Sequence, residues 1–260
     1  MSDLLTTIVE SRRRTVDQLK QIAPRVKLER PPIPIVENRF AANLRRNSFS
    51  VIAEIKRKSP SKGVLRADLD PARLASSYQA GGAAAVSVLT EDRYFNGSFA
   101  DLEAVKKNTS LPALCKDFII DPYQLYLAAF YGADAVLLIC RILDKGLYQE
   151  LHRLALELGL LPLVEIYDQS ELDLALSAEV RAIAVNRRDL SSFAVDTGRS
   201  NQIIGQLPPS VIKVAASGIR SANDLAAAKQ AGYDAALVGE ALVTADDPEK
   251  VLRSWLAVLR

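Results

Sequence analysis

The sequence predicts a single (β/α)8 TIM barrel, an α/β fold, preceded by a helical extension. Between residues 49 and 238, eight short apolar segments alternate with stretches of helical periodicity, and such alternation is typical of a parallel sheet covered by helices. The chain has 260 residues, a length at which α/β barrels form one domain. A doubly wound open sheet is the alternative, but the sequence lacks the glycine-rich first βα turn that this fold usually carries.

The strand candidates are separated by helical stretches such as residues 71–80 and 222–231. Gly132 and Gly232 each precede a strand, as glycines at helix C-termini do. We predict strands over residues 49–56, 84–89, 113–116, 135–139, 161–166, 182–186, 212–216 and 235–238.

Residues 1–47 are predicted to form a helical extension packed on the barrel, which would occupy residues 48–260. Leu4, Leu5 and Ile8 alternate with charged side chains, a pattern that predicts an amphipathic helix. Four prolines and a second short helical stretch follow. The segment is too short for a core of its own, and we expect it to act as a partial lid.

The charge balance excludes several classes of partner. Thirty-three Lys and Arg residues against 31 Asp and Glu leave a net charge of +2, which is too balanced for a general binder of nucleic acid or membrane surfaces. No apolar run reaches the roughly 18 residues of a membrane-spanning helix, and the N-terminus lacks a signal-peptide core. We therefore predict a cytoplasmic protein without nucleic-acid or membrane partners, and we expect a monomer.

Cysteine and histidine usage narrows the chemistry. Cys115 and Cys140 are isolated in apolar segments without CxxC spacing, which excludes a disulfide framework and disfavours zinc. The only histidine, His152, lies in a helical pattern away from any strand end, where we expect a solvated surface position. In an enzyme, acid–base catalysis would then fall to Lys, Glu and Asp.

Ionisable or amide side chains stand where several predicted strands end. Glu54 and Lys56 are two apart on the first strand and share a face. Lys116 ends the third strand, Glu165 the fifth and Asn186 the sixth. Glu54 and Lys56 alone are explained equally well by an outward orientation or a structural ion pair. Four strands that end in this way favour an active site at the C-terminal mouth of the barrel.

Two turns of small residues predict a phosphate site. Ser217 and Gly218 follow the seventh strand, and Gly239 and Glu240 follow the eighth. Small residues let backbone N–H groups approach a ligand, and a short helix adds its positive dipole end. A glycine after a strand is more often only a turn, but two such turns one βα unit apart indicate a small phosphorylated substrate.

Segments 52–63, 87–98, 111–118 and 186–190 together resemble the indole-3-glycerol-phosphate synthase family, and the likeness runs over nearly the whole chain. The resemblance implies a carboxy-lyase of tryptophan biosynthesis. Its reaction cyclises 1-(2-carboxyphenylamino)-1-deoxyribulose 5-phosphate to indole-3-glycerol phosphate, with loss of CO₂ and water. The resemblance implies no metal and no organic cofactor.

The resemblance also implies roles for individual residues. Lys116 would be the general acid at the carbonyl, Lys56 and Glu165 would serve later proton transfers, and which lysine drives dehydration stays open. Glu54 would hold Lys56 and a substrate hydroxyl, and Asn186 would position the reacting arm. Phe95 and Leu137 would line the pocket for the anthranilate ring. Without the resemblance, both residues would be taken for ordinary core. The implied substrate-binding residues are Ser59, Phe95, Leu137, Arg188, Ser217, Gly218, Gly239 and Glu240.

This chain departs from the family pattern at Ala216, where a glutamate is usual. Losing one charge-assisted hydrogen bond in the transition state costs about 1.5 to 3 kcal/mol, or roughly tenfold to a hundredfold in rate. Tyr167 and Ala184 are milder departures. Two other hypotheses stay open: a barrel that binds a phosphorylated indole or anthranilate ligand without turnover, and a Schiff-base aldolase that uses Lys116.

Overall fold

Eight parallel strands close into a barrel in the computed structural model, which describes residues 3–23, 38–188 and 196–259. The strands are β1 (Ser50–Ile55), β2 (Lys58–Ser59), β3 (Gly63–Val64), β4 (Ala85–Leu89), β5 (Ala113–Lys116), β6 (Ala135–Ile139), β7 (Leu161–Ile166), β8 (Ala182–Asn186), β9 (Ile212–Ala216) and β10 (Ala235–Val238). The barrel order is β1-β10-β9-β8-β7-β6-β5-β4, and β2 pairs with β3 in a separate antiparallel ribbon. The predicted (β/α)8 barrel is confirmed.

The helices begin where the sequence places capping residues. Asp70, Asp121 and Asp247 each cap a helix by accepting hydrogen bonds from backbone N–H groups of its first turn. The first turn of each of these helices also contains a proline, which is tolerated there because the N–H that proline lacks would have no partner within the helix. The helices are α1 (Asp3–Ile22), α2 (Arg39–Leu44), α3 (Pro71–Gly81), α4 (Phe99–Asn108), α5 (Pro122–Phe130), α6 (Lys145–Glu157), α7 (Gln169–Ala175), α8 (Thr197–Ile204), α9 (Ala222–Gln230), α10 (Glu240–Val243) and α11 (Pro248–Ala257), with a short 3₁₀ helix at Cys140–Ile142.

The core has two layers because strand side chains alternate in direction. On β8, Ala182 and Ala184 belong to the cluster inside the barrel, while Ile183 and Val185 belong to the cluster between strands and helices. Asn186 continues the inward series at the strand end. The same alternation directs the last inward residue of each strand towards the C-terminal mouth.

The two N-terminal helices lie at different places on the barrel. Helix α2 buries Phe40 and Leu44 against the inner cluster, and Asn38 caps it while donating a hydrogen bond to the Asp134 carbonyl at 2.8 Å. Helix α1 packs Val16 against Tyr123 and nearby apolar residues of α5. Of the described helices, none is long and apolar enough to cross a membrane.

The expectation of a solvated His152 is wrong. His152 is 4% exposed, and its ring lies 5.8 Å from that of Tyr148. With Leu151 and Ala155 these residues fill one helix face at the 3–4 residue spacing of a buried stripe, so the periodicity was already in the sequence. Burial lowers the pKa of His152, and the charge of Glu179 opposes this only partly. Cys115 and Cys140 are both buried and free.

Candidate active site

A cavity of about 240 Å³ opens at the C-terminal ends of the barrel strands. Its lining includes charged groups from β1, β5 and β7, backbone from the turns after β9 and β10, and apolar side chains from α1. The predicted site residues that line it are Glu54, Lys56, Ser59, Phe95, Lys116, Glu165, Asn186, Arg188, Ser217, Gly218, Gly239 and Glu240.

Leu137 is the predicted site residue that does not line this cavity. It is 1% exposed and belongs to the inner core. Ile139, two residues further along β6, lines the cavity instead. Because residues two apart on a strand face the same side, Leu137 lies on the same face of β6 as Ile139 and deeper in the barrel.

Glu54 and Lys56 form an ion pair at the end of β1. The Lys56 ammonium donates to Glu54 Oε1, and the two side chains are 16% and 3% exposed. Burial alone would raise the pKa of Glu54, but the charges of Lys56 and Lys116, with the hydrogen bond from Lys56, lower it overall. The site therefore holds an ionised carboxylate under the influence of two lysines.

Gly239 leaves the space that this ion pair occupies. A Cβ atom there would collide with Glu54 Oε1 and lie 3.2 Å from Lys56 Nζ. The sequence pattern predicts only a phosphate-binding role for Gly239, because the crowding arises between strands that are distant in the chain but paired in the barrel. A side chain at this position would therefore force the charged pair to move.

Glu165 and Asn186 lie side by side on β7 and β8. Asn186 Nδ2 donates to Glu165 Oε1 at 3.3 Å, and Asn186 Oδ1 accepts the Arg188 N–H at 3.1 Å. These two bonds fix the direction of the amide, with its NH₂ group towards the carboxylate. Arg199 donates to the Asn186 backbone carbonyl at 3.1 Å and stacks on the ring of Tyr167.

The turn after β9 has unusual backbone geometry. Ser217 has φ of 66° and Gly218 has φ of 75°. A non-glycine residue in the left-handed region is uncommon and costs roughly 1–3 kcal/mol, a strain that concentrates at functional sites. Arg220 also lines the cavity nearby. The sequence did not single it out, because an arginine two residues beyond a turn resembles any surface cation.

Apolar residues complete the cavity wall. The rings of Phe95 and Phe118 lie 6.0 Å apart. Phe118 stands two residues after Lys116, so alternation along the chain could have found it. From α1, Leu5 and Ile8 reach the cavity; the sequence predicted this apolar stripe but not where on the barrel it would lie. The other lining residues outside the prediction are Leu4, Pro60, Ser61, Leu89, Ile139, Ile219 and Leu237.

Ala216 stands between polar and apolar neighbours in the cavity wall. It is 4% exposed and in register with Asn186 on β8 and Leu237 on β10. Its methyl group supplies no acceptor at a place where a longer acidic side chain would face the cavity. Within the described lining, the acidic side chains come from Glu54, Glu165 and Glu240.

The described residues contain no group of three or more His, Cys, Asp or Glu that could hold a metal ion. The arrangement can bind an anion against its lysines and arginines, hold an aromatic ring against Phe95 and Phe118, and exchange protons through Lys56, Lys116 and Glu165.

Two solved structures with the same architecture are named for phosphorylated compounds. A 3-hexulose-6-phosphate synthase from Salmonella typhimurium has a TM-score of 0.64 at 19% identity, over 81% of this chain and 98% of that one. A thiamine phosphate pyrophosphorylase from Pyrococcus furiosus has a TM-score of 0.61 at 15% identity, over 82% of this chain and 96% of that one. At these identities the likeness shows the fold alone.

Sequence comparison is more specific. The family model for indole-3-glycerol phosphate synthase matches residues 5–255. The indole-3-glycerol phosphate synthase of Desulfosudis oleivorans is 43% identical over 98% of this chain and 99% of its own. That of Mycolicibacterium smegmatis is 46% identical over 92% of this chain and 86% of its own. The chain belongs to the indole-3-glycerol phosphate synthase family.

Proposed function

We propose that this chain converts 1-(2-carboxyphenylamino)-1-deoxyribulose 5-phosphate to indole-3-glycerol phosphate, CO₂ and water. One observation carries the proposal: Lys56, Lys116 and Glu165 line one cavity, together with Glu54, whose pKa the charges of both lysines lower. A substrate with a carboxylate at one end and a phosphate at the other matches a cavity that is rich in cations.

The substrate is held at three places. Its phosphate binds at the turns of Ser217–Gly218 and Gly239–Glu240, where backbone N–H groups can approach it. Arg188 shapes the mouth of the cavity. The anthranilate ring packs against the apolar wall that contains Phe95, Phe118 and Ile139, and Ser59 contacts the substrate from β2.

The chemistry is general acid–base catalysis. Lys116 gives a proton to the ketose carbonyl oxygen as the aromatic carbon attacks, which forms the new C–C bond and an alcohol. The carboxylate leaves as CO₂, and its bonding electrons restore the aromatic ring. The alcohol then leaves as water after taking a proton from a lysine, while Glu165 removes the carbon-bound proton. Asn186 orients Glu165 for this step.

A turnover assay tests this function. The purified chain is expected to produce indole fluorescence and CO₂ from the ketose phosphate. Lys116→Met is expected to abolish turnover with the fold intact, and Lys107→Met, at a 67% exposed surface lysine, is expected to leave it unchanged. Turnover that survives Lys116→Met would remove the assigned acid. Borohydride trapping of substrate on Lys116 would instead indicate Schiff-base chemistry.

Ala216 favours a second candidate function, because it removes an acceptor from the cavity wall. In that case the chain binds indole-3-glycerol phosphate tightly and turns nothing over. Calorimetric binding without turnover would support the second candidate and exclude the first. The cytoplasmic location, the monomeric state, the lack of nucleic-acid partners and the division at residues 47 and 48 stay predictions from the sequence.

A further inference from the structure

Arg12 reaches from α1 into the barrel next to the strand end that carries Lys116. Its side chain is 2% exposed, and Nη2 lies 2.5 Å from Asp117 Oδ2, while the Asp117 side chain is fully buried. Arg12 Nη1 lies 3.4 Å from Asp92 Oδ1, in the loop after β4. One guanidinium therefore joins the N-terminal helix to residues that follow two neighbouring strands.

Asp117 fixes the backbone on both sides of it. Its Oδ2 also accepts the Thr90 hydroxyl at 2.6 Å, and its Oδ1 accepts the Phe118 N–H at 2.8 Å. The Thr90 N–H in turn donates to the Lys116 carbonyl at 3.1 Å. Lys116 and Phe118 line the cavity on either side of Asp117 in the chain. A carboxylate that moved would lose its bond to Phe118 directly, and would affect Lys116 through Thr90 and through the chain itself.

The same face of α1 carries Arg12 and the apolar residues above the cavity. Leu5, Ile8 and Arg12 follow one another at spacings of three and four, which places them along one helix face. All three are buried, and Leu5 and Ile8 line the cavity. The position of Arg12 thus sets how these two side chains meet the substrate site.

The other half of α1 has an independent attachment. Lys20 Nζ lies 2.5 Å from Asp121 Oδ2, and Val16 packs against Tyr123 and Leu127. The Tyr123 hydroxyl donates to the Ala23 carbonyl at 2.9 Å. Removing the Arg12 side chain therefore leaves the C-terminal half of the helix docked on α5.

We propose that Arg12 is a positioning residue, whose ion pair with Asp117 seats α1 over the cavity and holds the Lys116 strand end in its catalytic position. The inference rests on the proposed function. Arg12 does not line the cavity, so it acts through Asp117 and not on the substrate.

Steady-state kinetics of Arg12→Ala test the inference. A displacement of about 1 Å at a catalytic group costs about a hundredfold in rate, so kcat is expected to fall about 10- to 100-fold, with a smaller change in KM. Added guanidinium ion is expected to restore part of kcat. The kcat of Arg12→Lys is expected to stay below that of Arg12→Ala with added guanidinium, because a single ammonium group cannot reproduce the forked contact of the arginine.

Lys20→Met is the matched control, since it breaks the other ion pair of the same helix and is expected to leave kcat unchanged. Native kcat in Arg12→Ala would overturn the inference. So would an equal loss in Lys20→Met, or a loss that tracks the unfolded fraction and resists guanidinium.

Amide hydrogen exchange tests the same inference without turnover. Arg12→Ala is expected to accelerate exchange at residues 116–118, and Lys20→Met is not. If the native chain were inactive, the proposed function would fail, while exchange would still decide whether Arg12 holds this strand end.

Discussion

Gly239→Ala is expected to disable the site by displacing its charged pair. The new Cβ would overlap Glu54 Oε1 and lie 3.2 Å from Lys56 Nζ, so the carboxylate must shift by about 1 Å to regain van der Waals contact. Gly239 has a negative φ of −114°, outside the left-handed region that favours glycine, and the expected effect is the steric one on Glu54 and Lys56. A misplacement of this size costs about a hundredfold in rate, or about 2.7 kcal/mol of transition-state stabilisation.

The assay is kcat/KM for the ketose phosphate, measured beside the free energy of unfolding. Gly146→Ala serves as the control, because its Cβ would meet only Asp144 Oδ1, at an ordinary 3.4 Å, and activity should not change. Overpacking at position 239 is expected to lower the unfolding free energy by about 1–3 kcal/mol. Unchanged kcat/KM in Gly239→Ala would refute the claim that Glu54 and Lys56 must keep their geometry.

Three further predictions concern other parts of the chain. Ala216→Glu is expected to raise turnover roughly tenfold to a hundredfold if the missing acceptor limits the reaction; kinetics with no gain, beside healthy native activity, would show that the chain does without it. His152 has a lowered folded-state pKa, so the unfolded chain binds the proton first, and stability should fall as pH drops below about 6.5. Denaturant unfolding of His152→Leu should lack this part of the pH dependence, and an unaltered slope would contradict it. Product binding is expected to slow amide exchange across the first half of α1, and exchange that ligand does not change would count against a lid.

The barrel was predictable because its evidence is local. Each barrel strand is a short apolar run, and helices such as α3 and α5 begin at a capping residue, Asp70 and Asp121. The active-site face was predictable for a related reason. Parallel strands bring their C-terminal ends together, so Glu54, Lys116 and Glu165 had to meet wherever the sheet closed.

The remaining features depend on contacts between distant segments. Register between strands decides that Ile139 and not Leu137 reaches the cavity. The pairing of β1 with β10 decides that a side chain at position 239 would meet Glu54 and Lys56. The apolar stripe of α1 was visible, but its docking site follows from the pairing of Arg12 with Asp117, about which the sequence gives no indication. The burial of His152 was not predicted because histidine is a polar residue type, although its spacing from the apolar residues of α6 matches that of a buried stripe.

Chemical labelling of lysines tests the shared site most directly. The chain is treated with an amine-acylating reagent, with and without indole-3-glycerol phosphate, and each lysine is quantified by mass spectrometry. The account predicts that the ligand protects Lys56 and Lys116 together, while the exposed Lys107 reacts equally in both samples. Protection of only one of the two, or of neither with the ligand bound, would contradict a single site built on both lysines.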